Sequence, residues 1–172
     1  MRILKLNLII LFLFIIIQPA YSYAEEGACV QLDRLGKVGK YIWKHANDIR
    51  GAHYCESRSP VFADLNGNGK EDIAVLYVIE GACYENKLWK PGACSSNYEH
   101  FLAVYVNLGF RYNVPIVIKV GGRGIRGIKD ISIKDKVIIL QTLEYDNDPL
   151  CCPSKPGVLK FVLENKKLIQ KD

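Results

Sequence analysis

The chain has 172 residues and a formal net charge of +5. Residues 1–24 read as an export signal, and the 148 residues after it hold 21 basic against 18 acidic side chains, a net charge of +3 spread along the chain. So small and dispersed an excess excludes a charge-based case for nucleic acid, whereas the length suffices to bury roughly 70% of the unfolded surface around one core.

The first 24 residues combine a short basic start (Arg2, Lys5), an uninterrupted apolar run from Leu8 to Ile17, a Gln18-Pro19 break, and small residues at Ser22 and Ala24. That order predicts a signal peptide cleaved after Ala24. The apolar run is well short of the roughly 20 residues a bilayer span needs, so no stable membrane anchor is expected after cleavage. Glu26-Gly27-Ala28 before Cys29 is not the context of a lipid-modified cysteine. The expected location is periplasmic or secreted, with residues 25–172 forming a single disulfide-stabilised α+β domain.

Between Val30 and Ile49, Leu35, Val38, Ile42, Ala46 and Ile49 recur at threes and fours with Asp33, Arg34, Lys37, Lys40 and Lys44 between them. The spacing predicts one amphipathic helix, weakened by Gly36 and Gly39 and stopped near Gly51. Tyr41 and Trp43 fall off its apolar stripe. After Pro60 the chain turns to β-branched and aromatic runs: 72–80, 100–108, 112–120, 125–133, 137–145, 158–163 and a short 167–170. The connections at 109–111, 121–124, 134–136 and 164–166 are too short for parallel crossovers, so an antiparallel meander of about six or seven strands is predicted, with the helix packed on it.

Six cysteines, Cys29, Cys55, Cys83, Cys94, Cys151 and Cys152, follow the signal, and an even count in an exported chain points to disulfides before metal or catalysis. Cys83 and Cys94 bracket the polar loop 84–93 and are expected to close it, a clasp contributing on the order of 3 kcal/mol. Cys29 and Cys55 flank the helix and form the next expected pair. Cys151 and Cys152 are adjacent, with α-carbons only about 3.8 Å apart across a trans peptide, below the usual disulfide range. Either they bond to each other in a distorted, easily reduced ring, read as a redox site or, in the favoured alternative, as a rigid turn with no redox role, or each reaches a different partner.

The stretch Asp64-Leu65-Asn66-Gly67-Asn68-Gly69-Lys70-Glu71-Asp72 sets oxygen-bearing side chains at alternate positions around a glycine-rich bend. Asp64, Asn66 and Asn68 offer side-chain oxygens, Lys70 a backbone carbonyl, and Asp72 a closing carboxylate, an all-oxygen set suited to calcium. An EF-hand would need a carboxylate where Val75 stands. The alternative is an ion-free Asx-type turn held by its own hydrogen bonds. The spacing resembles the calcium loops of FG-GAP and VCBS-type repeats, in which such a turn precedes a strand, and one copy is present. The resemblance implies the loop without the propeller, since a single repeat cannot stack. With Asn68 where that motif has Asp, affinity in the roughly 0.1 to 1 mM class is expected.

More broadly, Asp64 to Leu76, Phe101-Leu102-Ala103-Val104-Tyr105-Val106-Asn107 and Asp148-Pro149-Leu150-Cys151-Cys152-Pro153-Ser154 resemble a group of uncharacterised exported bacterial proteins across roughly residues 60–170. In that group the Asp-Pro-x-Cys-Cys-Pro-Ser segment tends to hold the sole cysteines, which implies a Cys151–Cys152 bond here. The resemblance implies no activity.

Gly122-Arg123-Gly124-Ile125-Arg126-Gly127 matches the dinucleotide fingerprint in letters, yet a strand pattern follows it, so no helix N-terminus is expected to meet a pyrophosphate. Arg123 and Arg126 leave a small anion site as the functional alternative to a basic turn. His45, His53 and His100 form no metal or catalytic spacing, and Glu144, Asp146 and Asp148 read as a solvated loop. The expected function is therefore a non-catalytic binding or structural module, with Tyr84, Trp89 and Tyr98 on or beside the 83–94 loop as contact residues for an envelope protein or a glycan. The alternatives are an envelope enzyme inhibitor or immunity protein, which would use the same loop, and a hydrolase, which would need His53 or His100 buried beside a carboxylate.

Overall fold

A computed structural model of the chain describes residues 37–82 and 97–172. The expected signal peptide, Cys29, Cys83, Cys94, Tyr84 and Trp89 all lie outside the described residues. Helix α1 (Lys37–Asp48) is followed by β1 (Ala52–His53), a single 3-10 turn (Cys55–Ser57), β2 (Ser59–Ala63), β3 (Asp72–Glu80), β4 (Tyr98–Tyr105), β5 (Ile116–Gly122), β6 (Gly127–Lys134), β7 (Val137–Glu144), β8 (Lys155–Glu164) and β9 (Lys167–Lys171).

The strands form two sheets rather than the one meander expected from short connections. The first runs β1-β3-β4-β5, with β2 also paired to β3, and the second runs β6-β7-β8-β9; all pairings are antiparallel. The physical reason lies in β3 and β4. Ile73 to Tyr77 and Phe101 to Tyr105 are buried without alternation, so both faces of the first sheet need a cover.

One face is covered by α1. Val38, Ile42 and Ala46, at most 1% exposed, pack on Ile73, Val75, Tyr77, Ile79, Phe101, Ala103 and Tyr105. The helix ends at Asp48; Arg50, with a φ of 55°, sets the left-handed cap, and Gly51 N–H bonds the Ala46 carbonyl at 2.9 Å. Gly51 is required on contact grounds as well, because a β-carbon there would lie 2.1 Å from Ile79 Cγ2.

The other face, Ala74, Leu76, Leu102 and Val104, packs on Ile131, Ile138, Leu140, Leu159 and Phe161 of the second sheet. There β7 and β8 alternate buried and exposed positions, as a sheet with one wet face should. The chain passes between sheets at the 122–126 turn, where Gly122 and Arg126 form an isolated bridge and Gly122 takes a φ of 144°. A β-carbon on Gly122 would meet the Tyr98 carbonyl at 2.7 Å, so the corner is built on that glycine. The described residues are thus α+β, with antiparallel pairing in both sheets and with a helix and the second sheet sandwiching the first.

Candidate functional site

The loop joining β2 to β3 holds Asp64, Asn66, Asn68, Lys70 and Asp72, and left-handed glycines shape it: Gly67 has φ 80° and Gly69 φ 78°. Asp64 Oδ1 accepts from Gly67 N–H at 2.7 Å and Asn68 N–H at 3.1 Å, while Oδ2 accepts from Gly69 N–H at 2.8 Å. These amides, Gly69 first, hold the Asp64 carboxyl below its usual range, and the Lys136 ammonium adds to the effect from the β6–β7 turn. Asn66 Oδ1 accepts from Asn68 N–H at 2.9 Å and Asn68 Oδ1 from Lys70 N–H at 2.9 Å. Each of these oxygens accepts in an Asx-type pattern and retains lone-pair capacity.

Asp72 lies at the base of the loop, fully buried. Its Oδ2 accepts from Leu65 N–H at 3.0 Å and its Oδ1 from Asn107 N–H at 2.7 Å. A buried carboxylate is tolerable here because backbone donors satisfy it. Asn107 is tied to the same loop twice more: its carbonyl accepts from Asn68 Nδ2 at 3.0 Å, and its own Nδ2 donates to the Glu71 carbonyl at 3.2 Å. The Lys70 side chain lies over Gly109, where a β-carbon would come within 2.0 Å of its Nζ.

Through Asn107 the loop braces a second one, 106–115. Leu108 N–H bonds the Arg111 carbonyl at 2.9 Å, Asn113 N–H the Val106 carbonyl at 3.0 Å, and Gly109 N–H the Asn107 Oδ1 at 2.8 Å. This pinned excursion holds Phe110 81% exposed and Val114 80% exposed. Beside it lies a groove of about 320 Å³ walled by Tyr41, Tyr105, Leu108, Tyr112, Val114 and Pro115, with Arg111 at its rim. Tyr41 meets Tyr105 edge-on at 6.4 Å, and Tyr105 Oη donates to the Val38 carbonyl at 3.1 Å.

This groove escaped the sequence reading, which ran strands through 100–108 and 112–120. Two signals marked it: Gly109 beside the large apolar Phe110, and Pro115, which cannot donate to a strand ladder. Tyr41, off the helical stripe, is one of its walls.

Tyr98, expected near the recognition loop, is half-buried at the start of β4 and packs edge-on against His100 at 5.6 Å. Burial first, and then Tyr145, raises its phenol above the usual range. Tyr145 Oη in turn donates to the Leu150 carbonyl at 2.7 Å and accepts from Gly124 N–H at 3.1 Å. The structure thus brings Tyr98 to the 121–127 turn and the 145–154 loop, not to the aromatic groove. Strand β6 follows that turn, as the alternation required, and Arg126 faces Glu144, with Nε 3.4 Å from Oε2.

The three acids expected to be solvated are separately paired. Glu144 accepts from Thr142 Oγ1 at 2.7 Å, Asp146 faces Lys155 at 3.4 Å, and Asp148 accepts from Ser154 N–H at 2.9 Å. The amide of Asp146, then the Ser154 donors, lower the Asp148 carboxyl. Cys151 and Cys152 are bonded to each other, the first of the two arrangements their adjacency allowed.

His53 is 5% exposed; its Nδ1 donates to the Val78 carbonyl at 3.0 Å, and its Nε2 accepts from Arg58 Nε at 2.5 Å. Burial lowers its pKa to about 4, and the same cause lowers His100 to about 4. His45, lowered by burial too, meets Tyr77 Oη through Nδ1 at 2.7 Å. Among the described residues no cluster of three or more His, Cys, Asp or Glu could hold a metal, and no helix is long and apolar enough to cross a membrane. Comparison with family models, curated proteins and solved structures returned no match.

Proposed function

We propose that the chain is a non-catalytic, exported binding module of the periplasm or extracellular space, in which calcium and disulfides brace a surface that docks an envelope protein or a glycan. The observation that carries this reading is the junction at Asn107, where three hydrogen bonds tie the 64–72 loop to the loop presenting Phe110 and Val114. Ordering the 106–115 loop before a partner arrives lowers the entropy lost on docking. The leader-like residues 1–24 support export.

The donor chemistry of the loop suits a hard cation. Asp64, Asn66 and Asn68 through side-chain oxygens, Lys70 through its carbonyl and Asp72 through its carboxylate would hold calcium, which would crosslink the turn and neutralise its two acids. The Lys136 ammonium beside Asp64 competes for the same field, in keeping with affinity in the roughly 0.1 to 1 mM class. At His53 both ring nitrogens are engaged, by a carbonyl and a guanidinium and not by a carboxylate, which leaves that imidazole no free nitrogen for proton transfer.

Phe110 is the sharpest probe of the surface, because it is exposed and contributes little to the core. Phe110→Ala is expected to lower capture of the partner from an envelope extract by about tenfold or more, the scale of an aromatic anchor, with an unchanged melting temperature. Equal capture by the variant and the parent would remove the Phe110 surface from the reading.

A further inference from the structure

We propose that Cys151–Cys152 is a thiol–disulfide exchange site that accepts two electrons from a dithiol, independently of the calcium loop and of the aromatic groove. Bonded neighbours whose α-carbons are 3.8 Å apart across the peptide lie below the usual span of a disulfide, so the bond joins atoms that the backbone holds in an unfavourable ring. A crosslink between adjacent residues also closes no chain loop, and so removes almost none of the unfolded-state entropy through which disulfides stabilise proteins. As a staple this bond has little to do.

The surrounding turn is held without it. Cys152 N–H bonds the Pro149 carbonyl at 2.9 Å, Tyr145 Oη bonds the Leu150 carbonyl at 2.7 Å, and the Asp148 carboxylate takes both Ser154 N–H and Ser154 Oγ at 2.9 to 3.1 Å. These bonds span the cysteines from both sides, so opening the sulfur bridge leaves the turn in place and the two sulfurs ready to close again. Both cysteines are exposed, as an attacking thiolate requires. Beside them Leu150 is 62% exposed and Ile125 46% exposed; Leu150 Cδ2 stands 3.6 Å from where a Gly124 β-carbon would lie, which sets Leu150 against the Gly124-Ile125 turn. That apolar collar suits the flank of a partner's reactive thiol.

The exchange balances without a further reagent. A thiolate of the dithiol attacks one sulfur, the Cys151–Cys152 bond breaks, and the departing sulfur takes a proton. The second thiol of the dithiol then loses its proton and attacks the mixed disulfide, releasing the other cysteine. The dithiol ends as a disulfide, and Cys151 and Cys152 each end as a thiol.

Dithiothreitol is the probe. Titrated against the oxidised protein, it is expected to open the 151–152 disulfide before any other cysteine becomes open to alkylation, read by alkylation and mass spectrometry, while the melting temperature moves by less than about 2 °C. Adding oxidised glutathione should close the pair again. Persistence of the bond until the protein unfolds, or a melting temperature that drops as the bond opens, would overturn the proposal. Two variants complete the test. The double variant Cys151→Ser/Cys152→Ser is expected to fold and melt like the parent, and failure to fold would make the bond a structural staple and sink the idea. Cys152→Ser is expected to form a mixed disulfide with oxidised glutathione at Cys151, and absence of the adduct counts against exchange.

Discussion

Replacing Asp72 by alanine is expected to destabilise the protein by about 4 kcal/mol, because two backbone donors, Leu65 N–H and Asn107 N–H, lose a charged acceptor in a fully buried position. Unsatisfied buried donors cost about 1 to 3 kcal/mol each, and at this chain length the sum lowers the melting temperature on the order of 10 °C. Asp72→Asn keeps one carbonyl oxygen and is expected to lose about half as much. The damage should be local in a telling way: amide exchange at Asn107 and Leu108 should accelerate along with exchange at Leu65, since one carboxylate joins the two loops. A loss below about 1 kcal/mol in chemical denaturation would show that the junction is not held by this side chain.

Acidification should act almost as strongly. His53 and His100 stay neutral in the folded protein down to about pH 4, whereas an unfolded imidazole protonates near pH 6.5. Below pH 6.5 the unfolded chain therefore binds more protons, and stability falls with pH until about 4, where the folded side chains protonate too. Allowing for partial solvent screening at both sites, the loss is about 1.5 kcal/mol per histidine, or roughly 3 kcal/mol between pH 7 and pH 4.5. His45, lowered by burial, adds in the same direction. The lowered carboxyls of Asp64 and Asp148 act in a separate window: the stability they contribute is present above the usual carboxylate range and is lost as pH falls through their folded values. Urea denaturation at the two pH values checks the histidine effect, and equal stability at pH 7 and pH 4.5 would contradict it.

The pattern of apolar residues carried most of the local structure. The helical stripe Val38, Ile42, Ala46 is the buried one, and the run 72–80 is strand β3 with the same bounds. Each of the seven runs expected as strands overlaps one, the 112–120 run only from Ile116 onward, yet β1 and β2 were missed. A two-residue strand leaves no periodicity to read, and Pro60 inside β2 breaks the alternation while being tolerated on a strand with a single neighbour. The division into two sheets was hidden by a rule of length. The 122–126 connection is short enough for a hairpin, but after one bridge the Gly122 corner sends β6 into another layer. The unalternating burial of β3 and β4 was the cue, since a strand apolar on both faces demands cover on both.

At the candidate site, the sequence placed the oxygen-rich turn because its spacing is local. It did not disclose Asn107, which joins that turn from a distant part of the chain, nor the groove, whose walls come from α1, β4 and the 106–115 loop. Contacts between remote segments leave no periodic trace. Adjacency alone left the partners of Cys151 and Cys152 open, and the fold brings those two sulfurs together.

The central claim, that calcium braces the 64–72 loop and through it the recognition surface, is tested most directly by melting the oxidised protein in millimolar calcium and in excess EGTA, alongside Asp64→Ala. At about ten times the dissociation constant, calcium should add about 1.4 kcal/mol and raise the melting temperature by roughly 3 to 6 °C in the parent, with no gain in Asp64→Ala. Superimposed parent curves, or an equal gain in the variant, would contradict the claim.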